Sequence, residues 1–110
     1  YIMSKNNEDH FEILKNINKF PNSSQRKLAA KSGLSLGKLN YCLNALINKG
    51  FVKIENFKSN ENKFNYIYVL TPRGISHRAK LTINFMKKKM EEYDELKKEY
   101  IYLKKETKKK

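Results

Sequence analysis

The chain has 110 residues, 39% of them hydrophobic, which suffices for one compact core and not for two. Its 24 Lys and Arg against 11 Asp and Glu give a net charge of +13, the electrostatic footprint of a nucleic-acid binder, although the wealth of Lys and Asn also fits a simple composition bias. The longest unbroken apolar run, 66–70, is far too short to span a membrane, and no segment resembles a signal peptide; the single cysteine, Cys42, excludes an intrachain disulfide, and the isolated His10 and His77 leave no metal-ligand spacing.

Residues 1–6 read as a frayed end, with Asn6 or Asn7 capping a first helix that has Glu8 and Asp9 near its positive end. Phe11, Leu14 and Ile17 recur at a spacing of three, with Ile13 beside them, as one apolar face. Phe20-Pro21 ends this helix, because a residue before proline avoids the helical region. Ser23 or Ser24 caps a short second helix to about Ser32, and Gly33 breaks it. Ser35 caps a third helix to about Lys49, with Leu39, Cys42, Leu43, Leu46 and Ile47 facing inward, before a Gly50 cap. The period then changes. Residues 51–57 alternate like a strand, 58–63 form a polar turn, and 64–70 form a second strand, so the pair reads as a β-hairpin. Thr71-Pro72 is a strong helix start, and no breaker follows Gly74, so a last helix is expected from 72 to about 106. The expected organisation is a domain over 7–71, a long helix over 72–106 and a disordered basic tail over 107–110. The fold class is α+β, mostly helical: three helices and a hairpin wing, followed by the long C-terminal helix.

The segment between the second and third helices carries the strongest motif. Ala29 supplies the small residue where two helices cross, Gly33 the positive φ of the tight turn, Leu34 a plug and Ser35 the next cap. Together with the hairpin and with Leu70-Thr71-Pro72-Arg73-Gly74, which is similar to the closing "LTPxG" of that family, the chain from about 22 to 75 resembles the MarR family of transcriptional regulators. Residues 34–43 and 46–53 look like its EPS-associated members, which implies control of exopolysaccharide genes.

The resemblance implies a winged helix-turn-helix that places residues 35–49 in the major groove of duplex DNA. On that reading the exposed face of Ser35, Gly37, Lys38, Asn40, Tyr41 and Asn44 contacts DNA: Lys suits guanine or phosphate, Asn pairs with adenine, hydroxyls reach phosphate, and Gly37 permits close backbone approach. The same residues read as an ordinary polar helix face, or Tyr41 as packed on the wing, if the motif misleads. Arg26 and Lys27 would sit over the DNA backbone, with Arg73 and Arg78 as weaker candidates. The wing, with Lys58, Asn60, Asn62 and Lys63 around an unhelpful Glu61, is expected to touch phosphates or to be a solvated turn without a role.

In the last helix, Met86, Tyr93 and Tyr100 lie seven apart, Leu96 and Leu103 fall at the complementary heptad positions, Ile83 and Met90 extend an adjoining stripe backwards, and Lys89 spoils one position of the seam. This predicts a homodimer seam that lets two recognition helices read a palindromic operator; a tail packed on its own domain is the alternative. Residues 1–83 hold 14 basic and five acidic residues (+9) and residues 84–110 hold ten and six (+4), so the excess charge lies in the domain. Because typical MarR proteins are longer, with extra helices that build a ligand pocket, no effector pocket, cofactor or metal is expected here. Cys42 reads as a buried structural thiol, with oxidant sensing as the alternative.

An enzyme is disfavoured, since neither paired carboxylates, nor a nucleophile with a nearby His, nor a phosphate-binding glycine loop is present. The expectation is a cytoplasmic, homodimeric regulator that binds double-stranded DNA. The rival is a winged-helix module with a coiled-coil adaptor helix for protein contacts, against which stands the lack of any acid from Ser35 to Lys49. RNA binding lacks its usual stacking motifs.

Overall fold

The computed structural model describes residues 4–58 and 64–108, including the side chains of all of these except 56–58 and 64–66. Three helices, α1 (Lys5–Lys19), α2 (Gln25–Ser32) and α3 (Leu36–Asn48), are followed by two strands, β1 (Val52–Lys58) and β2 (Phe64–Leu70), and by the long helix α4 (Pro72–Lys108). The expected fold class is what the structure has.

Local chemistry sets most of these boundaries. Ser4, not Asn6 or Asn7, caps α1: its Oγ accepts from the Asn7 amide at 3.1 Å. The helix therefore begins inside the segment expected to fray. Ser24 and Ser35 cap α2 and α3 in the same way, accepting from the amides of Lys27 and Lys38 at 3.2 and 3.1 Å. Phe20 ends α1, and Gly33 closes α2 in the left-handed conformation (φ 69°), a geometry that costs glycine nothing.

The strands pair antiparallel from Val52 opposite Leu70 to Lys58 opposite Phe64. β1 thus starts one residue later than the alternation suggested, because the Phe51 amide still belongs to the close of α3 and donates to the Leu46 carbonyl at 2.9 Å. α4 runs through Thr107 and Lys108, past its expected end and into the segment expected to be a disordered tail; 109 and 110 lie outside the described residues.

One core joins all the elements. Ile13, Leu14 and Ile17 of α1 meet Leu28 and Ala29 of α2, Leu39, Cys42, Leu43 and Leu46 of α3, Val52 and Tyr68 of the hairpin, and Leu81 of α4. Tyr68 keeps its hydroxyl satisfied by accepting from Gln25 Nε2 at 2.7 Å, and Asn16 donates to Ser32 Oγ at 3.1 Å. Only the first part of α4 belongs to this core. Phe85 stacks on Phe11 with centroids 4.9 Å apart, and Lys88 Nζ donates to Glu8, which holds that carboxyl below the usual carboxylate range. Every residue from 89 to 108 is exposed. The radius of gyration, 19.3 Å, exceeds the roughly 13 Å of a compact chain of this length because that arm projects from the domain.

The base of α4 is fastened at one close approach. Gly74 is buried against the Phe51 carbonyl, which would overlap any Cβ placed there. Thr71 locks the junction: its Oγ1 donates to the Gly50 carbonyl at 2.5 Å and accepts from the Gly74 amide at 3.0 Å, while its own amide donates to the Phe51 carbonyl at 3.1 Å.

Candidate nucleic-acid interface

The turn between α2 and α3 presents α3. Gly33 turns the chain, the Leu34 amide donates to the Ala29 carbonyl at 2.9 Å, and the Leu34 side chain packs on the core. The inward stripe Leu39, Cys42, Leu43 and Leu46 is at most 1% exposed, so α3 can turn only its opposite face outward. That face carries Ser35, Gly37, Asn40, Tyr41 and Asn44, all exposed as expected. Gly37 has open space around it. Tyr41 is 67% exposed; the side chains of the wing, on which it is alternatively expected to pack, lie outside the described residues. Sequence reasoning missed Leu36, which is 42% exposed at the first position of the helix and shares a ridge with Asn40 and Asn44 by its spacing of four.

Lys38 differs from its neighbours. It is only partly exposed and leans back toward α1, where its Nζ lies 4.0 Å from Asp9 Oδ2 and 5.6 Å from the centre of the Tyr41 ring. Asp9 is 3% exposed, Lys5 Nζ lies 3.2 Å from its Oδ1, and its Oδ2 has no hydrogen-bond partner. A buried carboxylate without a full set of hydrogen bonds attracts any cation within reach. By sequence Asp9 is only a favourable charge near a helix start; the signal that marks it further is its place beside the apolar stripe of α1.

The other expected contacts fall in separate places. Arg26 and Lys27 are exposed on the first turn of α2. Arg73 is exposed and lies over the Phe51 ring at 5.5 Å, and Arg78 is partly exposed, with a buried Nε that has no hydrogen-bond partner. Lys58 ends β1, its side chain outside the described residues, as are Asn60, Asn62 and Lys63 entirely.

Behind α3, charge gathers where α1, α3 and α4 meet. Burial, then Lys49 and His77, lower the pKa of His10; burial, then Lys49 and Lys80, lower that of His77. His77 lies flat on Phe51, with ring centroids 4.1 Å apart. Burial raises the Cys42 thiol above its ordinary value, as expected of a structural cysteine. Among the described residues no group of three or more His, Cys, Asp or Glu could hold a metal ion, and no helix is long and apolar enough to cross a membrane.

A helix-turn-helix with a hairpin behind it defines the winged helix-turn-helix fold. Residues 7–53 match the family model described as winged helix-turn-helix DNA-binding. Solved structures share the fold. Staphylococcus aureus MarR in complex with salicylate and kanamycin is 17% identical with a TM-score of 0.59, over 78% of this chain and 56% of that one. The PcaV transcriptional regulator from Streptomyces coelicolor, with its natural ligand, is 15% identical with a TM-score of 0.58, over 71% and 54%. Sso10a-2, a DNA-binding protein from Sulfolobus solfataricus, is 22% identical with a TM-score of 0.64, over 87% and 92%. The chain thus spans about half the length of the two regulators. It matches no curated protein sequence.

Proposed function

We propose that the protein is a cytoplasmic transcription regulator that binds a palindromic site on double-stranded DNA as a homodimer. The observation that carries the reading is the outer face of α3, which is mostly polar, carries no acid and is turned outward by a fully buried inner stripe. Arg26 and Lys27 supply phosphate contacts beside it, and Lys58, Asn60, Asn62 and Lys63 supply them from the hairpin tip. The MarR-like fold supports a regulator, and the resemblance of 34–53 to EPS-associated members supports exopolysaccharide genes as its targets.

Dimerisation rests on α4. Ile83, Met86, Met90, Tyr93, Leu96, Tyr100 and Leu103 are between 49% and 67% exposed; heptad spacing puts Met86, Tyr93, Leu96, Tyr100 and Leu103 on one seam, with Ile83 and Met90 on an adjoining stripe. Such an apolar stripe on a solvated helix calls for a partner.

Titration of a mixed duplex library across a salt series, with solution mass recorded alongside, tests the reading. A steep loss of binding with salt, an enriched palindrome and twice the monomer mass are expected. Weak binding with no enriched site would move the protein to the class of winged-helix interaction modules.

A further inference from the structure

We infer that α3 reads an A·T-rich half-site and that Asp9 sets this preference by holding Lys38 away from the bases. The inference deepens the DNA-binding reading above and rests on it. The ridge Leu36, Asn40, Asn44 rises about 6 Å per step, so it covers about 12 Å of groove, or three to four base pairs. Tyr41 flanks it, and Gly37 leaves room for the helix to sit close.

The chemistry of that face is one-sided. Adenine offers the major groove one acceptor and one donor, N7 and the N6 amino group, and an asparagine amide matches both at once. Thymine offers a methyl group, which suits exposed Leu36 and the Tyr41 ring. Guanine offers two acceptors, N7 and O6, and demands a cation or a two-donor fork. The outer face of α3 has no arginine, and its one lysine in the first two turns is Lys38. That ammonium leans toward Asp9 Oδ2, the buried oxygen without a hydrogen-bond partner. The single group able to prefer guanine thus lies 4.0 Å from a carboxylate on another helix, whose other oxygen pairs with Lys5 at 3.2 Å, and on this inference that attraction keeps it from the bases. Asp9 touches no base on this reading; it is a positioning residue.

The experiment is selection from a randomised duplex pool, run in parallel on the wild type, Asn40→Ala with Asn44→Ala, and Asp9→Asn, each checked by circular dichroism. The wild type is expected to enrich A·T pairs at three or four adjacent positions of each half-site. The double alanine variant should lose tenfold or more in affinity for that site while keeping its nonspecific binding. Asp9→Asn should gain guanine at one of those positions, a change of base preference that a merely structural role would not produce. Enrichment of G·C pairs at the α3 positions, or nonspecific binding alone, overturns the inference and leaves a DNA-binding protein. Unchanged preference in Asp9→Asn overturns the role of Asp9. Failure of every duplex to bind overturns the DNA-binding reading itself. Should Asp9→Asn not fold, Asp9→Ser is put through the same selection and is expected to gain guanine likewise, an unchanged preference overturning the role of Asp9.

Discussion

Two glycines in α3 and α4 should respond oppositely to alanine. At Gly74 the added Cβ overlaps the Phe51 carbonyl, a backbone atom that cannot swing away. To admit it, the start of α4 must separate from the base of the hairpin, at the cost of about 1–3 kcal/mol for forced packing. Separation also loosens the Thr71 amide bond to Phe51 and the Thr71 hydroxyl bond to Gly50, worth about 1 kcal/mol each. The better helix propensity of alanine returns about 1 kcal/mol. Gly74→Ala should therefore destabilise by about 2–4 kcal/mol net, or roughly 10–17 °C in melting temperature for a chain of this size. Gly37 meets nothing within 4 Å and lies in ordinary helix, so Gly37→Ala should leave stability equal or slightly higher while weakening DNA binding through its methyl group at the groove. Urea titration of both variants, followed by circular dichroism, decides. A Gly74→Ala midpoint equal to wild type would refute the claim that the close approach fastens α4 to the domain.

Acid should loosen the junction of α1, α3 and α4. His10 and His77 both have pKa values below the ordinary 6.5, so the unfolded chain binds protons that the fold refuses. Stability is then full above about 6.5 and falls as pH drops through the lowered values; urea midpoints from pH 8 to 5 should show this slope, and His10→Gln with His77→Gln should flatten it. Cys42 should react with a thiol reagent only as fast as the protein unfolds, and rapid labelling of the native state would contradict its burial. Leu96→Lys with Leu103→Lys should yield a folded monomer by light scattering, because both side chains are exposed in a single chain and their loss costs the domain nothing.

Much of this structure was legible in the sequence because punctuation residues act locally. Ser24, Ser35, Gly33, Gly50 and Thr71-Pro72 mark their boundaries by backbone chemistry that needs no tertiary context. The start of α1 was misread because Asn6 and Asn7 and Ser4 are all good caps, and only the realised Asn7 amide to Ser4 bond chooses between them. The outer face of α3 was legible through its inner stripe: once Leu39, Leu43 and Leu46 are buried, the rest follows by rotation. Leu36 was missed because an apolar residue beside a cap reads as core, whereas its rotation about the helix leaves it partly exposed. The leaning of Lys38 was not legible at all. It depends on a contact between residues 29 positions apart, and local periodicity carries no information about which buried carboxylate a lysine will find.

The projecting part of α4 joins the two halves of the functional reading. A helix alone in water is marginal at lengths of about 12–15 residues, and most helical stability comes from packing an apolar face. Residues 89–108 have no such packing within one chain, yet they hold Tyr93, Leu96, Tyr100 and Leu103 on one seam. Covering the seam with a second copy would stabilise the arm and at the same time double the number of base pairs read, since one α3 ridge would span only three to four. On the dimeric reading proposed above, pairing, helicity and DNA affinity are linked through one equilibrium. Dilution below the dimer dissociation constant should lower all three together, and Leu96→Lys with Leu103→Lys should fix the protein at the dilute limit. Helicity that stays constant on dilution while DNA affinity falls would mean that the arm is stable alone and that pairing serves recognition only.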